Sequence, residues 1–409
     1  MSDQHYDLVI VGGGMVGALL AASIAQHSAT AHLNIAVIEA RAEPEFFSGE
    51  QFDPRVVALS RKSKGLLDSL GVWGAIREAR ACAYGAMEIW DAEGTGNIQF
   101  YASDVHEASL GHIIENSVVV NVLREYLRTQ SSVTLLDGWR VTHFEHAENK
   151  NTLSICHKTE SSATLSCDLV IAADGAHSEL REMAGLKTRE WDYGHTAIVT
   201  TVCTEKPHEY CCWQRFSQQG PIAFLPMQVD SVPPASAHHS SLVWSVKTGI
   251  AEELMALEDA KFCQRLGRAF EYRLGAVEHT AKRFAIPLRQ RHAVDYICPG
   301  LALIGDAAHT IHPLAGQGAN LGFYDVQALA DEIVRACQRN IPLSEDSILR
   351  RFQRARKSHN LSAMLLMEGF KRLFSTDDPA IRWARNVGMS LVNKQALLKR
   401  QLAKLASGA

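Results

Sequence analysis

Three stretches of the chain carry residue types that could do chemistry. In the first, "VGGGMVG", Gly12, Gly14 and Gly17 spell G-x-G-x-x-G, and Glu39 follows 22 residues after Gly17. Glycines so spaced allow a tight turn, close approach of backbone to a pyrophosphate, and close helix–strand packing. The acid can accept hydrogen bonds from a ribose. The second stretch, "ADGAHSELR", holds Asp174, Gly175, Ser178 and Arg181. The third, "IGDAAHTIHPLAGQGANLG", sets Asp306, His309, His312 and Pro313 among four glycines. Two histidines three apart raise the idea of a metal site. A metal needs a third and fourth ligand, and the neighbourhood offers only Asp306, so no metal is expected.

These motifs need elements to hold them. No Asp, Glu, Lys or Arg lies between Asp7 and Glu39, and Leu8 to Ala25 is long enough to pass a crude membrane-span filter. Acids stand at Asp3 and Asp7 where a signal would have cations, and three consecutive glycines would break a helix early. The run is therefore read as buried strand, glycine turn and buried helix, followed by a second strand at Ile35 to Ile38. Further continuous apolar strands are expected in Cys167 to Arg181 and Gly300 to His309, each ending in Asp–Gly or Gly–Asp. Three separated pieces of chain thus return to one nucleotide site.

Gly194 to Thr204, Ile222 to Met227 and Ser241 to Lys247 are rich in β-branched and aromatic residues and predict antiparallel strands of a second sheet. Asp230 to Ser241 reads as an exposed polar loop. Asn320 to Arg339 and Ser344 to Leu373 predict long helices. Residues 350–409 hold 13 Lys/Arg against 3 Asp/Glu, a local charge of +10 on a chain of net −4. The net charge argues for no nucleic acid, and the basic end suggests a surface or a partner there. Nine scattered cysteines with no C-x-x-C read as reduced, packed thiols of a cytoplasmic protein.

G-x-G-x-x-G serves NAD and FAD alike. The second and third motifs, in their order and spacing, resemble the FAD signatures of the class A flavoprotein aromatic hydroxylases. "GVWGAIREARACAYGAMEIWD", "LGHIIENSV", "EWDYGHTAIV" and "IAFLPM" narrow the resemblance to the bacterial ubiquinone-biosynthesis monooxygenases, and "LGHIIENSV" to the branch acting at C5 of a polyprenylphenol. The resemblance implies an α/β fold like that of p-hydroxybenzoate hydroxylase. A Rossmann-type FAD-binding domain (1–75, 105–185 and 285–345) would carry an inserted antiparallel β-sheet substrate domain (76–104 and 186–284), with a helical region at 346–409. It implies FAD as cofactor, O₂ as co-substrate, an external reductant that is NAD(P)H or a reductase, and ring hydroxylation through a flavin C4a-hydroperoxide.

By the same resemblance Asp306 takes the ribityl chain, and Gly12, Gly14, Gly17, Glu39, Arg55, Val141, Asp174, Gly305, Gly318, Ala319 and Asn320 bind the cofactor. Pro313, Gly316 and Gly318 pass beside the flavin ring as backbone, since no side-chain base is recognisable. Tyr193 and His195 are base candidates by position alone. Phe224, Leu225, Pro226 and Trp244 are expected to line an apolar substrate pocket. The implied partners are a polyprenylphenol, a ubiquinone-biosynthesis complex and a peripheral contact with the inner membrane from the cytoplasmic side. A hydroxylase of another apolar aromatic, or a flavin-bearing subunit without turnover, are the rival readings. A halogenase is disfavoured because no tryptophan has another two positions away.

Overall fold

A computed structural model describes residues 4–41, 45–147, 150–229, 237–310, 317–376, 378–395 and 398–402. Strand β1 (Gln4–Val11) lies between β2 (Ile35–Glu39) and β3 (Ser162–Ala172), parallel to both. Strand Val133–Asp137 continues the parallel sheet beyond β2, and Leu301–Leu303 continues it beyond β3. Leu8 to Ile10, Ile35 to Ile38 and Leu169 to Ala172 are all buried, which is why their sequences show no polar alternation. Since neighbouring parallel strands end on one edge, the segments after β1, β2, β3 and Leu303 must meet there.

Helix α1 (Met15–Gln26) packs on this sheet beside α3 (Gln317–Gln338). The two approach closely at Gly322, where a Cβ would stand 2.8 Å from Val16. Helix α2 (Asn116–Arg128) completes the layer, burying Val119, Leu123 and Leu127 in the same core.

The second sheet is built on β4 (Thr188–Thr204), with β5 (Ile222–Pro226), β6 (His239–Lys247) and β7 (Phe284–Ala293). Its order is His309–Thr310, β7, β4, β6, β5, Cys211–Phe216, Ala86–Asp91, Asn97–Tyr101. Two features depart from the sequence reading. β4 starts six residues earlier than the expected Gly194, because Thr188 to Asp192 pair with Arg289 to Ala293. β7, grouped with the FAD-binding part in the sequence reading, belongs to this sheet by its pairing with β4. The exposed, charged "REWD" hides the strand from any alternation rule.

One face of the sheet is covered by helices Thr248–Ala256 and Asp259–Ala269, which bury Leu254, Phe262 and Leu266 against it. The other face meets a small sheet of Val56–Ser60, Cys82–Tyr84 and Gly111–Glu115. The chain ends in α4 (Asp346–Ser375) and α5 (Pro379–Lys394). Asp378 caps α5 by accepting from the Ala380 and Ile381 amides, and Pro379 follows at the first helical position. Among the described residues no helix is long and apolar enough to cross a membrane.

Candidate functional site

The carboxyl edge of the parallel sheet opens into a cleft of about 450 Å³, a size typical of small-molecule sites. Gly12, Gly13, Gly14, Glu39, Arg55, Val141, Asp174 and Gly175 all line it, so the first two motifs share one wall.

The glycines divide by task. Gly12 has φ +107°, and a Cβ there would lie 2.3 Å from the Ala173 carbonyl oxygen of the neighbouring strand. A Cβ on Gly17 would lie 1.9 Å from the Gly12 carbonyl oxygen. These two are required by packing. Gly14 is different: nothing lies within 4 Å of its Cβ position, and it stands as N-cap of α1 with no side chain on the helix's first amides. That is where an anion can approach backbone N–H groups and the positive end of the helix.

Glu39 accepts from the Gly13 amide at 2.8 Å and from Arg41 N at 2.9 Å, which fixes its carboxylate at the cleft floor. Arg55 is aimed by a buried relay. Arg80 pairs with Glu115 at 3.3 Å, Glu115 accepts from Asp53 N at 2.7 Å, and Asp53 accepts from the Arg55 backbone and Nε. Its guanidinium also pairs with Glu45. In the second motif Ser178 caps the helix after it through the Arg181 amide, and Arg181 donates to Ala176 O and to Ala307 O. Arg181 therefore ties the second motif to the third.

Helix α2 supplies residues that motif reading missed. Asn116, Ser117, Val120, Asn121 and Arg124 face the cleft, a helical spacing that leaves the apolar positions for the core. Arg124 pairs with Asp137 at 2.5 Å and lies beside Gly13. Four buried atoms on the cleft's lining residues have no partner among the described residues: Asp174 Oδ1, Asn116 Oδ1, Asn121 Oδ1 and Arg124 Nε. Buried polar groups are ordinarily satisfied. A polar ligand rich in donors and acceptors fits this wall, and burial, opposed by Ser178 and other donors, leaves the Asp174 carboxyl above the ordinary range.

The third motif lies past β3, outside the lining of the 450 Å³ cleft. Gly305 turns with φ +58°, and Asp306 is open to solvent at its tip. His309 is a structural histidine: its Nε2 meets Asp325 at 2.6 Å. Asp325 also accepts from Gly305 N, Arg356 Nε and Asn360 Nδ2. Gly318 and Ala319 are half-buried in the first turn of α3, with backbone available. The Asn320 side chain is committed to the fold, accepting from Ser60 N and Ser63 Oγ and donating to Ala58 O. Only its backbone is left for a cofactor. Pro313 and Gly316, with His312, lie outside the described residues.

Of the expected pocket residues, Phe224 and Trp244 sit on the helix-covered face of the second sheet, against Phe270 and Phe262. The reason is the period of two: in β5 the inward positions are Ile222 and Phe224, which turns Leu225 to the opposite face with Cys212 and Met227. Pro226 is buried at the strand end. That opposite face also carries Ala197, Val199 and Val243. Tyr193 bonds to Gln290, and burial with the neighbouring Glu368 carboxylate pushes its hydroxyl up to about 12. It is no base at neutral pH. His195 holds the Tyr193 carbonyl through Nδ1 at 2.7 Å.

Comparison with known proteins agrees with this geometry. Residues 5–358 match the family model described as FAD binding domain. The chain is 36% identical over 408 residues to 3-demethoxyubiquinol 3-hydroxylase of Escherichia coli (strain K12), covering all of both chains. It is 31% identical to the mitochondrial ubiquinone biosynthesis monooxygenase COQ6 of Xenopus tropicalis, covering 98% of this chain and 93% of that one. Among solved structures, p-nitrophenol 4-monooxygenase PnpA from Pseudomonas putida DLL-E4 superposes with a TM-score of 0.78 at 19% identity, covering 98% of this chain and 97% of that one. The fold is therefore that of p-hydroxybenzoate hydroxylase. With the whole chain matched and a nucleotide cleft at the expected sheet edge, the chain belongs to the FAD binding domain family, among its class A hydroxylases of ubiquinone biosynthesis, and is an FAD-dependent aromatic-ring monooxygenase.

Proposed function

We propose that the protein hydroxylates the aromatic ring of a polyprenyl-substituted phenol on the route to ubiquinone. The observation that carries the proposal is the full-length identity of 36% to a hydroxylase whose name specifies such a ring. The face of the second sheet away from its covering helices, with Ala197, Val199, Leu225 and Val243, supports it, because a neutral, greasy ring needs apolar contacts and no carboxylate-binding cation. The motif "LGHIIENSV" favours C5 as the position, whereas the bacterial relative's name specifies position 3.

Bound FAD supplies the oxygen chemistry, with electrons from NAD(P)H or a reductase. The chain's own residues then divide the work as follows. Gly14 and Gly175 let backbone approach the pyrophosphate, Gly12 and Gly17 permit the turn and the helix–strand packing that put it there, and Glu39 and Val141 hold the adenosine end. Arg55, Asp174 and Arg124 contact the polar middle, and Asp306 takes the ribityl chain. Gly305, Gly318, Ala319, Asn320 and the undescribed Pro313 and Gly316 meet the ring through backbone. Phenol activation needs no dedicated side-chain base on this reading. A substrate of this kind dissolves in lipid, so the protein works at the cytoplasmic side of the inner membrane, beside other enzymes of the route.

Complementation tests the proposal. Strains blocked at individual ubiquinone hydroxylations are transformed with the gene, and the accumulated precursor is identified by mass. Rescue of one block assigns the ring position. Failure of every block, with O₂ consumption by the purified protein on another apolar phenol, would replace ubiquinone synthesis by that substrate. No substrate-dependent O₂ consumption at all would leave a flavin-bearing subunit.

A further inference from the structure

Helix α5 is built inside out. A surface helix ordinarily turns its apolar stripe to the core and its polar stripe to water. In α5 the side facing the protein carries Arg385, Asn386 and Asn393, with Met389 the one buried apolar residue among them. Arg385 and Asn386 donate to the buried Asp91, and Asn386 and Asn393 accept from the Gly96 and Gln99 amides. The side facing solvent carries Trp383, Val387 and Leu391, with Trp383 70% and Leu391 53% exposed.

The second half of α4 buries an ordinary, mainly apolar inner side and yet turns leucines outward as well. Its inner side buries Asn360, Met364 and Phe374, while Leu361, Leu365, Leu366 and Leu373 face out, Leu365 to 64% and Leu366 to 56%. Single exposed leucines need no explanation, but two adjoining helices that each turn several large apolar residues outward do. Cations share these stripes. At 3.6 residues per turn Arg354 and Arg372 fall in line with Leu361 and Leu365, and Lys394 in line with Trp383 and Val387. All three are exposed, Arg372 while also holding Glu368.

We propose that the outward stripes of α4 and α5 are a bilayer-docking face for anionic phospholipid. Trp383 and the leucines enter the boundary between headgroups and acyl chains, and Arg354, Arg372 and Lys394 meet lipid phosphate. Tryptophan favours that boundary, and helices with cations beside an apolar stripe bind it. Charge selects lipid over a second copy of the chain. A two-fold interface through this face would set Arg354, Arg372 and Lys394 against the same cations of the second copy. The proposal does not depend on which ring is hydroxylated.

Co-sedimentation of the purified, FAD-loaded protein with vesicles tests it. Vesicles of phosphatidylglycerol and phosphatidylcholine in equal parts are compared with pure phosphatidylcholine, at low and high salt. Binding is expected to the anionic vesicles, at least tenfold weaker to the neutral ones, and weaker at high salt. Trp383→Glu with Leu391→Glu, and separately Leu365→Glu with Leu366→Glu, should each lower anionic-vesicle binding at least tenfold. Because these side chains are exposed, flavin content and melting temperature should stay at the wild-type values. Binding by the variants equal to wild type overturns the proposal, and so does a wild type that stays in the supernatant. A wild-type dimer in light scattering that the same substitutions convert to monomer would assign the face to a second copy instead.

Discussion

At the scale of single residues, the glycines of the first motif make separable predictions. Gly17→Ala places a methyl 1.9 Å from a backbone oxygen, so strand and helix must part, and melting temperature should fall by several degrees together with FAD retention. Gly14→Ala meets open space, so the fold should hold while FAD binding weakens tenfold or more, read as flavin absorbance kept through gel filtration. Wild-type flavin affinity in Gly14→Ala would remove the pyrophosphate from that spot. Asp306→Ala should likewise give a folded protein that loses FAD or turnover, since its carboxylate supports no element. The buried histidines make a pH prediction. His112 is pushed down to about 4 by burial and by Lys64, and His292 to about 4 by burial and by His309, Lys357 and Arg189. Between about pH 6.5 and 4 the unfolded chain binds these protons and the folded one does not. Stability must then fall as pH falls through that window, by roughly 3 kcal/mol per histidine at its acid end. The raised Asp174 carboxyl acts in the opposite sense above the ordinary carboxylate value, since the folded state binds its proton more readily than the unfolded chain does. Urea unfolding at pH 7 and pH 5 checks this, and His112→Gln with His292→Gln should flatten the difference.

At the scale of elements, Asp325 is the point where α3, α4 and the third motif are joined. Burial alone would raise its carboxyl, and His309 and Arg356 outweigh that, holding it below the ordinary range. Asp325→Asn leaves Arg356 buried without its counter-charge, a change that typically costs about 3–5 kcal/mol. It also loosens the Gly305 amide, so FAD affinity should fall along with the melting temperature. A fully stable, fully loaded Asp325→Asn would show that the junction is dispensable. This junction also marks where sequence reading stops. β1, β2 and α1 are legible because glycine spacing and unbroken apolar runs are local signals with one physical solution. Asp325, Arg124 and the Arg80–Glu115–Asp53 relay that aims Arg55 join positions 13 to 62 residues apart, and each residue by itself looks like an ordinary surface charge. β5 fails differently. Its alternation fixes two faces, but not which face meets helices, so Phe224 and Leu225 could be told apart only once the covering helices were in place.

At the scale of the whole molecule, the parallel sheet with α1, α2, α3 and the first half of α4 forms one hydrophobic core, and the antiparallel sheet with its two helices forms another. One buried ion pair sits at the centre of the contact between the C-terminal helices and the second body, beside the Asn386 and Asn393 hydrogen bonds and the packing of Phe374 and Met389 on Phe216. Arg385 donates to Asp91 through Nε at 2.8 Å, both side chains are almost wholly buried, and Arg385 also donates to Leu373 O and lies over the Phe374 ring. A buried pair stabilises little against an apolar substitute, but removing one partner strands the other. Arg385→Met should therefore detach α5 at a cost of about 3–5 kcal/mol, whereas Arg385→Met with Asp91→Leu should recover much of it. Hydrogen exchange ought to report this as lost protection confined to α5 and the strand Ala86–Asp91. Flavin should be retained, because none of these residues lines the nucleotide cleft and bound FAD stabilises only the body that holds it. Loss of flavin in the single variant would mean that the two cores unfold as one unit, and that the C-terminal helices support the cofactor site as well as the surface they expose.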